Sequence, residues 1–85
     1  MVTTLSVIVP TLNEAGRIED ILTALVADEI TAEVIVTDGG STDGTIAAVR
    51  SSNATLIECE PGRGNQLYQG AAAATGDILF FLHAD

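Results

Sequence analysis

His83-Ala84-Asp85 closes the chain, directly after the apolar run Ile78-Leu-Phe-Phe-Leu82. That run reads as a short strand buried on both faces, which delivers polar side chains at its C-terminal end. Residues two apart on an extended chain point the same way, so the His83 imidazole and the Asp85 carboxylate converge. A ring nitrogen and a hard oxygen so placed make half a site for a divalent metal. Asp38 closes a second apolar run and, when ionised, can only accept hydrogen bonds. It suits a hydroxyl or an N–H and repels phosphate. Glu14 offers the same chemistry from an earlier loop. Arg63, set between glycines, suits a planar base or a phosphate.

These groups lie far apart in sequence, and the elements between them must bring them together. Leu5-Ser-Val-Ile-Val-Pro10 is β-branched and apolar, a strand that Pro10 is expected to end. Thr11 and Glu14 have the spacing of a capping box, with Asn13 as a rival cap, for a helix running to about Ala27. Ile18, Ile21, Leu22 and Leu25 form its apolar stripe, and Arg17, Glu19 and Asp20 face water. Ala32–Asp38 is a second strand. Thr42 or Asp43 caps a second helix to about Ser51, with Ile46, Ala47 and Val49 as its apolar content. Thr55–Cys59 is a third strand, and Asn65–Thr75 a third helix with Leu67, Ala71 and Ala74 on one face. Gly76 is expected at its C′ position. Ile78–Leu82 is the fourth strand.

The order is therefore βαβαβαβ with short connections, which predicts an α/β fold with a parallel sheet and helices on both faces. Ligands of such sheets sit outside the C-terminal strand ends. Pro10–Glu14, Asp38–Ser41, Pro61–Asn65 and His83–Asp85 all fall on that edge.

Net charge is −9, from twelve acidic residues against three arginines and no lysine. Nucleic acid is thereby excluded as a partner, since its binding relies on many Lys and Arg contacts to phosphate. A phosphate ligand would need one of the few arginines or a metal to offset its charge. Mg²⁺ or Mn²⁺ on Asp85, with or without His83, would bridge two phosphates and stabilise charge growing on a leaving diphosphate. No apolar run approaches the ~18 residues that span a membrane, and the N-terminus lacks the pattern of a signal peptide. Cys59 is the single cysteine. It reads as a small apolar filler, in keeping with a reducing, cytoplasmic setting. The first turn carries no Gly-x-Gly-x-x-Gly, and without lysine there is no P-loop.

Ser6-Val-Ile-Val-Pro-Thr-Leu-Asn-Glu14, Val34-Ile-Val-Thr-Asp-Gly-Gly-Ser-Thr-Asp-Gly-Thr45, Gly70-Ala-Ala-Ala-Ala-Thr-Gly-Asp77 and the closing His-Ala-Asp together resemble the family 2 glycosyltransferases of GT-A fold. Pro61-Gly-Arg-Gly-Asn65 and His83-Ala-Asp85 are similar to the wording of one bacterial subgroup. The resemblance implies that residues 1–85 form the Rossmann-like, nucleotide-sugar-binding half of a GT-A domain, strand order 3-2-1-4, without the acceptor half. It implies an inverting enzyme, a nucleotide-diphosphate-sugar donor, an acceptor of unknown kind, and Mg²⁺ or Mn²⁺. Pro10, Thr11 and Glu14 would line the nucleoside, Asp38 the base or ribose, and Arg63 the nucleotide. Asp85 matches the last acid of the family's Asp-x-Asp motif, while His83 stands where its first acid is expected. Gly39 stands where many relatives carry a second acid. No catalytic base is assigned within these residues, so this segment by itself is expected to be inactive.

Two other readings use the same residues: a nucleotidyltransferase-like enzyme, which wants a basic glycine-rich first loop, and a non-catalytic nucleotide-binding module. If the chain ends at Asp85, Ile78–Leu82 would be the outer strand, present an open edge and favour self-association. A lipid acceptor would bring the full-length protein to a membrane surface, for which this segment gives no signal.

Overall fold

The computed structural model describes residues 4–27 and 31–84. Its elements are β1 (Leu5–Thr11), α1 (Ala15–Val26), β2 (Thr31–Asp38), α2 (Thr45–Arg50), β3 (Thr55–Glu58), α3 (Arg63–Ala73) and β4 (Ile78–Phe81). All strand pairs are parallel, in the order β3-β2-β1-β4. This is the α/β arrangement and strand order expected. The order reverses at β1: the chain steps outward through β2 and β3, then α3 carries it back to β4 on the other side.

Alternation along β1 and β2 divides the sheet into two faces. Val7, Val9, Val34 and Val36 pack with Ile18 and Leu22 of α1 and Val49 of α2, all buried. Ile21 and Leu25 cover the margin of this core, as the apolar stripe of α1 predicts. Ile8 looks the other way, against α3. There Gly70 sits so close that a Cβ would lie 2.4 Å from Ile8 Cγ2. The deeply buried residues of α3 are Gln66 and Gly70, not Leu67, Ala71 and Ala74, which are half-buried. The helix is turned so that its smallest residue meets the sheet.

β1 continues one residue beyond Pro10. Leu82 N–H donates to the Ile8 carbonyl at 2.9 Å, so Ile8 and Pro10 present their backbone groups toward β4. β4 has ended by then, and the N–H that proline lacks has no ladder partner to lose. Gly76 is not a C′ residue, because α3 stops at Ala73. It lies against β1 instead, where its N–H donates to Ser6 Oγ at 2.8 Å and a Cβ would come within 2.4 Å of that oxygen.

The fourth strand is not buried on both faces. Ile78, Leu79, Phe80 and Phe81 are 38–52 % exposed, because β4 is the outer strand and pairs only with β1 among the described residues. No helix of the described residues is long and apolar enough to cross a membrane.

Candidate nucleotide site at the strand ends

The helix caps differ from the sequence expectation in a way that builds the site. Thr11 does not cap α1; it is the last residue of β1 and buried. Asn13 adopts a left-handed backbone, φ 54°, and α1 receives no cap from its own Glu14 side chain. The β2–α2 loop and the first residue of α2 supply the acceptors. Asn13 N–H donates to Ser41 Oγ at 2.8 Å, Glu14 N–H to Thr45 Oγ1 at 2.8 Å, and Ala15 N–H to Asp43 Oδ2 at 3.2 Å. In return Thr42 N–H donates to Asn13 Oδ1 at 2.8 Å. These bonds satisfy donors that a helix start leaves open, and they tie the first polar loop to the second. Asp43 also accepts the Thr45 N–H and hydroxyl. Those bonds, the hydroxyl's foremost, hold its carboxyl below the usual range.

Asp38 is the anchor of this arrangement. It is fully buried. Oδ1 accepts the hydroxyls of Thr11, at 2.7 Å, and Ser41; Oδ2 accepts the N–H groups of Gly40 at 3.0 Å and Ser41 at 2.7 Å. Burial is the strongest single influence on its pKa and opposes the charge, but the four donors together outweigh it and hold the carboxyl below its ordinary value. The acceptor capacity of the group is thus taken up within the chain.

Gln66 holds the same strand ends from the other face of the sheet. Its Nε2 donates to the carbonyls of Thr37 at 2.8 Å and Thr11 at 3.0 Å. Gly62 N–H donates to its Oε1 at 3.1 Å. Sequence reasoning passed over Gln66. The available signal was a polar side chain one helical turn before the glycine that meets the sheet.

Above this floor lies a cavity of about 280 Å³, lined by Pro10, Leu12 and Glu14 from the first loop, Gly62, Arg63 and Gln66 from the start of α3, and His83 after β4. It occupies the point where the strand order reverses, the expected ligand position in an open parallel sheet. Four of the predicted site residues, Pro10, Glu14, Arg63 and His83, therefore share one cavity. Thr11 and Asp38 are buried and support it. Asp85 lies outside the described residues. His83 is exposed, while its neighbours Leu82 and Ala84 pack into the core, so alternation continues past β4. Among the described residues no three metal-ligating side chains cluster.

A larger cavity, about 430 Å³, lies between the later part of α1 and the end of α2, and none of the predicted site residues lines it. Cys59 is half-buried; burial first, then the negative charges of Asp38 and Glu60, push its thiol pKa up. It is not a poised nucleophile.

The family model described as Glycosyl transferase family 2 matches residues 6–85. Glucosyl-3-phosphoglycerate synthase of Mycobacterium tuberculosis is 36 % identical over 93 residues, covering 96 % of this chain and 29 % of the relative. The 4,4'-diaponeurosporenoate glycosyltransferase of Staphylococcus aureus is 32 % identical over 88 residues, covering 95 % and 24 %. The crystal structure of the M. tuberculosis synthase with Mn²⁺, UDP and glucosyl-3-phosphoglycerate superposes with a TM-score of 0.84 at 34 % identity, over 98 % of this chain and 34 % of that one. The same synthase with Mn²⁺, UDP-glucose and phosphoglyceric acid gives the same score. The chain thus spans about a third or less of the length of the relatives it matches.

Proposed function

The chain belongs to glycosyl transferase family 2, and from that membership we propose that it forms the donor-binding part of an inverting enzyme that moves a sugar from a nucleoside-diphosphate sugar to an acceptor. The observation that carries this reading is the convergence of Pro10, Glu14, Arg63 and His83 on one cavity at the switch point of the sheet. Pro10 and Leu12 offer apolar surface to a nucleoside. Glu14 offers an acceptor for a hydroxyl or a base N–H. Arg63 and the N-terminus of α3 offer positive potential to a diphosphate.

Thr11 and Asp38 serve by fixing the floor. Their polar groups already bond to each other and to Ser41, which supports a holding role over direct contact with base or ribose.

The donor set suits a Mg²⁺ or Mn²⁺ ion that would be held by few protein ligands rather than one caged by protein. Mg²⁺ in such sites takes one or two carboxylates and completes its shell with phosphate oxygens and water. A histidine on the cavity wall two residues before an aspartate suits that chemistry. His83 and Asp85 would hold the ion. When bound, it supplies positive charge against the departing diphosphate.

Amide chemical shifts recorded while UDP and Mg²⁺ are added test the placement. The expected changes fall on Leu12, Glu14, Gly62, Arg63 and His83. Changes confined to Glu19–Thr23 and Ala48–Asn53 would move the site to the α1–α2 cavity and overturn the reading.

A further inference from the structure

We propose that Gln66 is the positioning residue of the nucleotide cavity, and that position 39 is glycine to make room for it. The carbonyls of Thr11 and Thr37 lie where β1 and β2 part. The Asp38 carbonyl is taken by Cys59 N–H, toward β3, so by alternation the Thr37 carbonyl faces β1. The Thr11 carbonyl accepts the Gly39 N–H at 3.0 Å, the last step of the ladder, and the Gln66 amide adds one N–H to each of the two carbonyls. The amide oxygen accepts from Gly62, the residue before Arg63. One buried side chain, 6 % exposed, thereby fixes the ends of two strands and the residue that leads into Arg63 at the start of α3.

The cost of this device falls on position 39. A Cβ there would stand 2.9 Å from Gln66 Oε1 and 3.0 Å from Pro61 Cα. The first contact is closer than real Cβ atoms come, and the oxygen involved is pinned by its bond to Gly62. Gly39 has no left-handed φ, so backbone conformation does not demand glycine; the occupied space does. Glycine at 39 and glutamine at 66 are two sides of one packing solution. A chain with a side chain at 39 would need a smaller residue at 66 and would lose the bracket.

The role assigned to Gln66 rests on the nucleotide reading above; the pairing with Gly39 does not. Gln66→Met keeps the volume and removes the three hydrogen bonds. Amide hydrogen exchange at Gly62 is expected to speed up. UDP affinity in the presence of Mn²⁺ is expected to fall by about tenfold or more, at a temperature where circular dichroism shows the variant folded. Unchanged exchange at Gly62 overturns the proposal. Faster exchange with unchanged UDP affinity also overturns it, since Gln66 would then be structural only. If the wild type itself gives no UDP binding, the nucleotide reading fails, and with it the positioning role.

The pairing is tested separately by melting temperature in the set Gly39→Ala, Gln66→Ala and the double variant. Gly39→Ala is expected to cost less in the Gln66→Ala background than alone. Additive losses would show the two positions to be independent and would overturn the pairing.

Discussion

The Thr11 hydroxyl donates to the Asp38 carboxylate at 2.7 Å, and the two residues are register partners at the ends of β1 and β2. Both are buried. The bond lies on the α1 face of the sheet, opposite the Gln66 bracket, so the strand ends that carry the site are clamped from both sides.

This relationship makes stability depend on acid. Asp38 and Glu33 both have pKa values below their ordinary 3.8 and 4.5. For Glu33 the main cause is the Ser6 hydroxyl, which donates at 2.6 Å, followed by the Thr75 N–H. A carboxyl depressed in the folded state contributes stability above its unfolded pKa and loses it as pH falls through the folded value. Melting temperature is therefore expected to fall once pH drops below about 4. Asp38→Asn should flatten that fall and cost on the order of 1–3 kcal/mol at neutral pH, because the amide turns a donor toward donors. Thermal melts from pH 3 to 7 on both proteins check this.

Thr45 is buried and its hydroxyl accepts the Glu14 N–H. Thr45→Val keeps the shape and leaves that N–H unpaired, an expected loss of about 1–3 kcal/mol. Hydrogen exchange should rise in the first turn of α1, at Glu14 and Ala15, more than at Leu22. Uniform change along the helix would show that the cap is not local.

Gly70→Ala sets helix propensity against packing. Alanine gains about 1 kcal/mol in a helix interior, but its Cβ would fall 2.4 Å from buried Ile8. Overpacking of this kind costs about 1–3 kcal/mol, so net destabilisation is expected in urea melts. Gly70→Ala with Ile8→Val should recover part of the loss.

The apolar edge at β4 should associate. Phe80 and Phe81 are 51 % and 42 % exposed on a strand that pairs only with β1 among the described residues. Light scattering of the 85-residue chain is expected to show mass rising with concentration, and Phe80→Lys to reduce the rise, as charge on an edge strand opposes pairing. A monodisperse monomer at all concentrations would contradict this.

Much of the fold was legible in the sequence because its signals were periodic. β-branched runs marked the strands, the Ile18–Leu25 stripe marked α1, the alternation of elements gave the parallel sheet, and the strand order came from the resemblance to a known family. The polar clusters were legible as a group, and Pro10, Glu14, Arg63 and His83 do meet. The caps were not, because Ser41, Asp43 and Thr45 cap a helix some thirty residues earlier, and local spacing cannot reveal a long-range acceptor. The orientation of α3 was missed for a related reason. A hydrophobicity count favours Leu67 and the alanines, whereas the close approach to Ile8 selects Gly70, and Gln66 follows one turn away. Composition alone read Ile78–Phe81 as buried on both faces, whereas the expected strand order placed them at the open edge where they are found.

The central claim is that the rim cavity holds a nucleoside diphosphate with the help of an ion at Asp85. Calorimetric titration of UDP, with and without Mn²⁺, into the wild type and Asp85→Ala tests it most directly. The account predicts binding that weakens when the metal is withheld and again in the variant, with no further metal effect once Asp85 is gone. Equal affinity in all four combinations, or no binding in any, would contradict it.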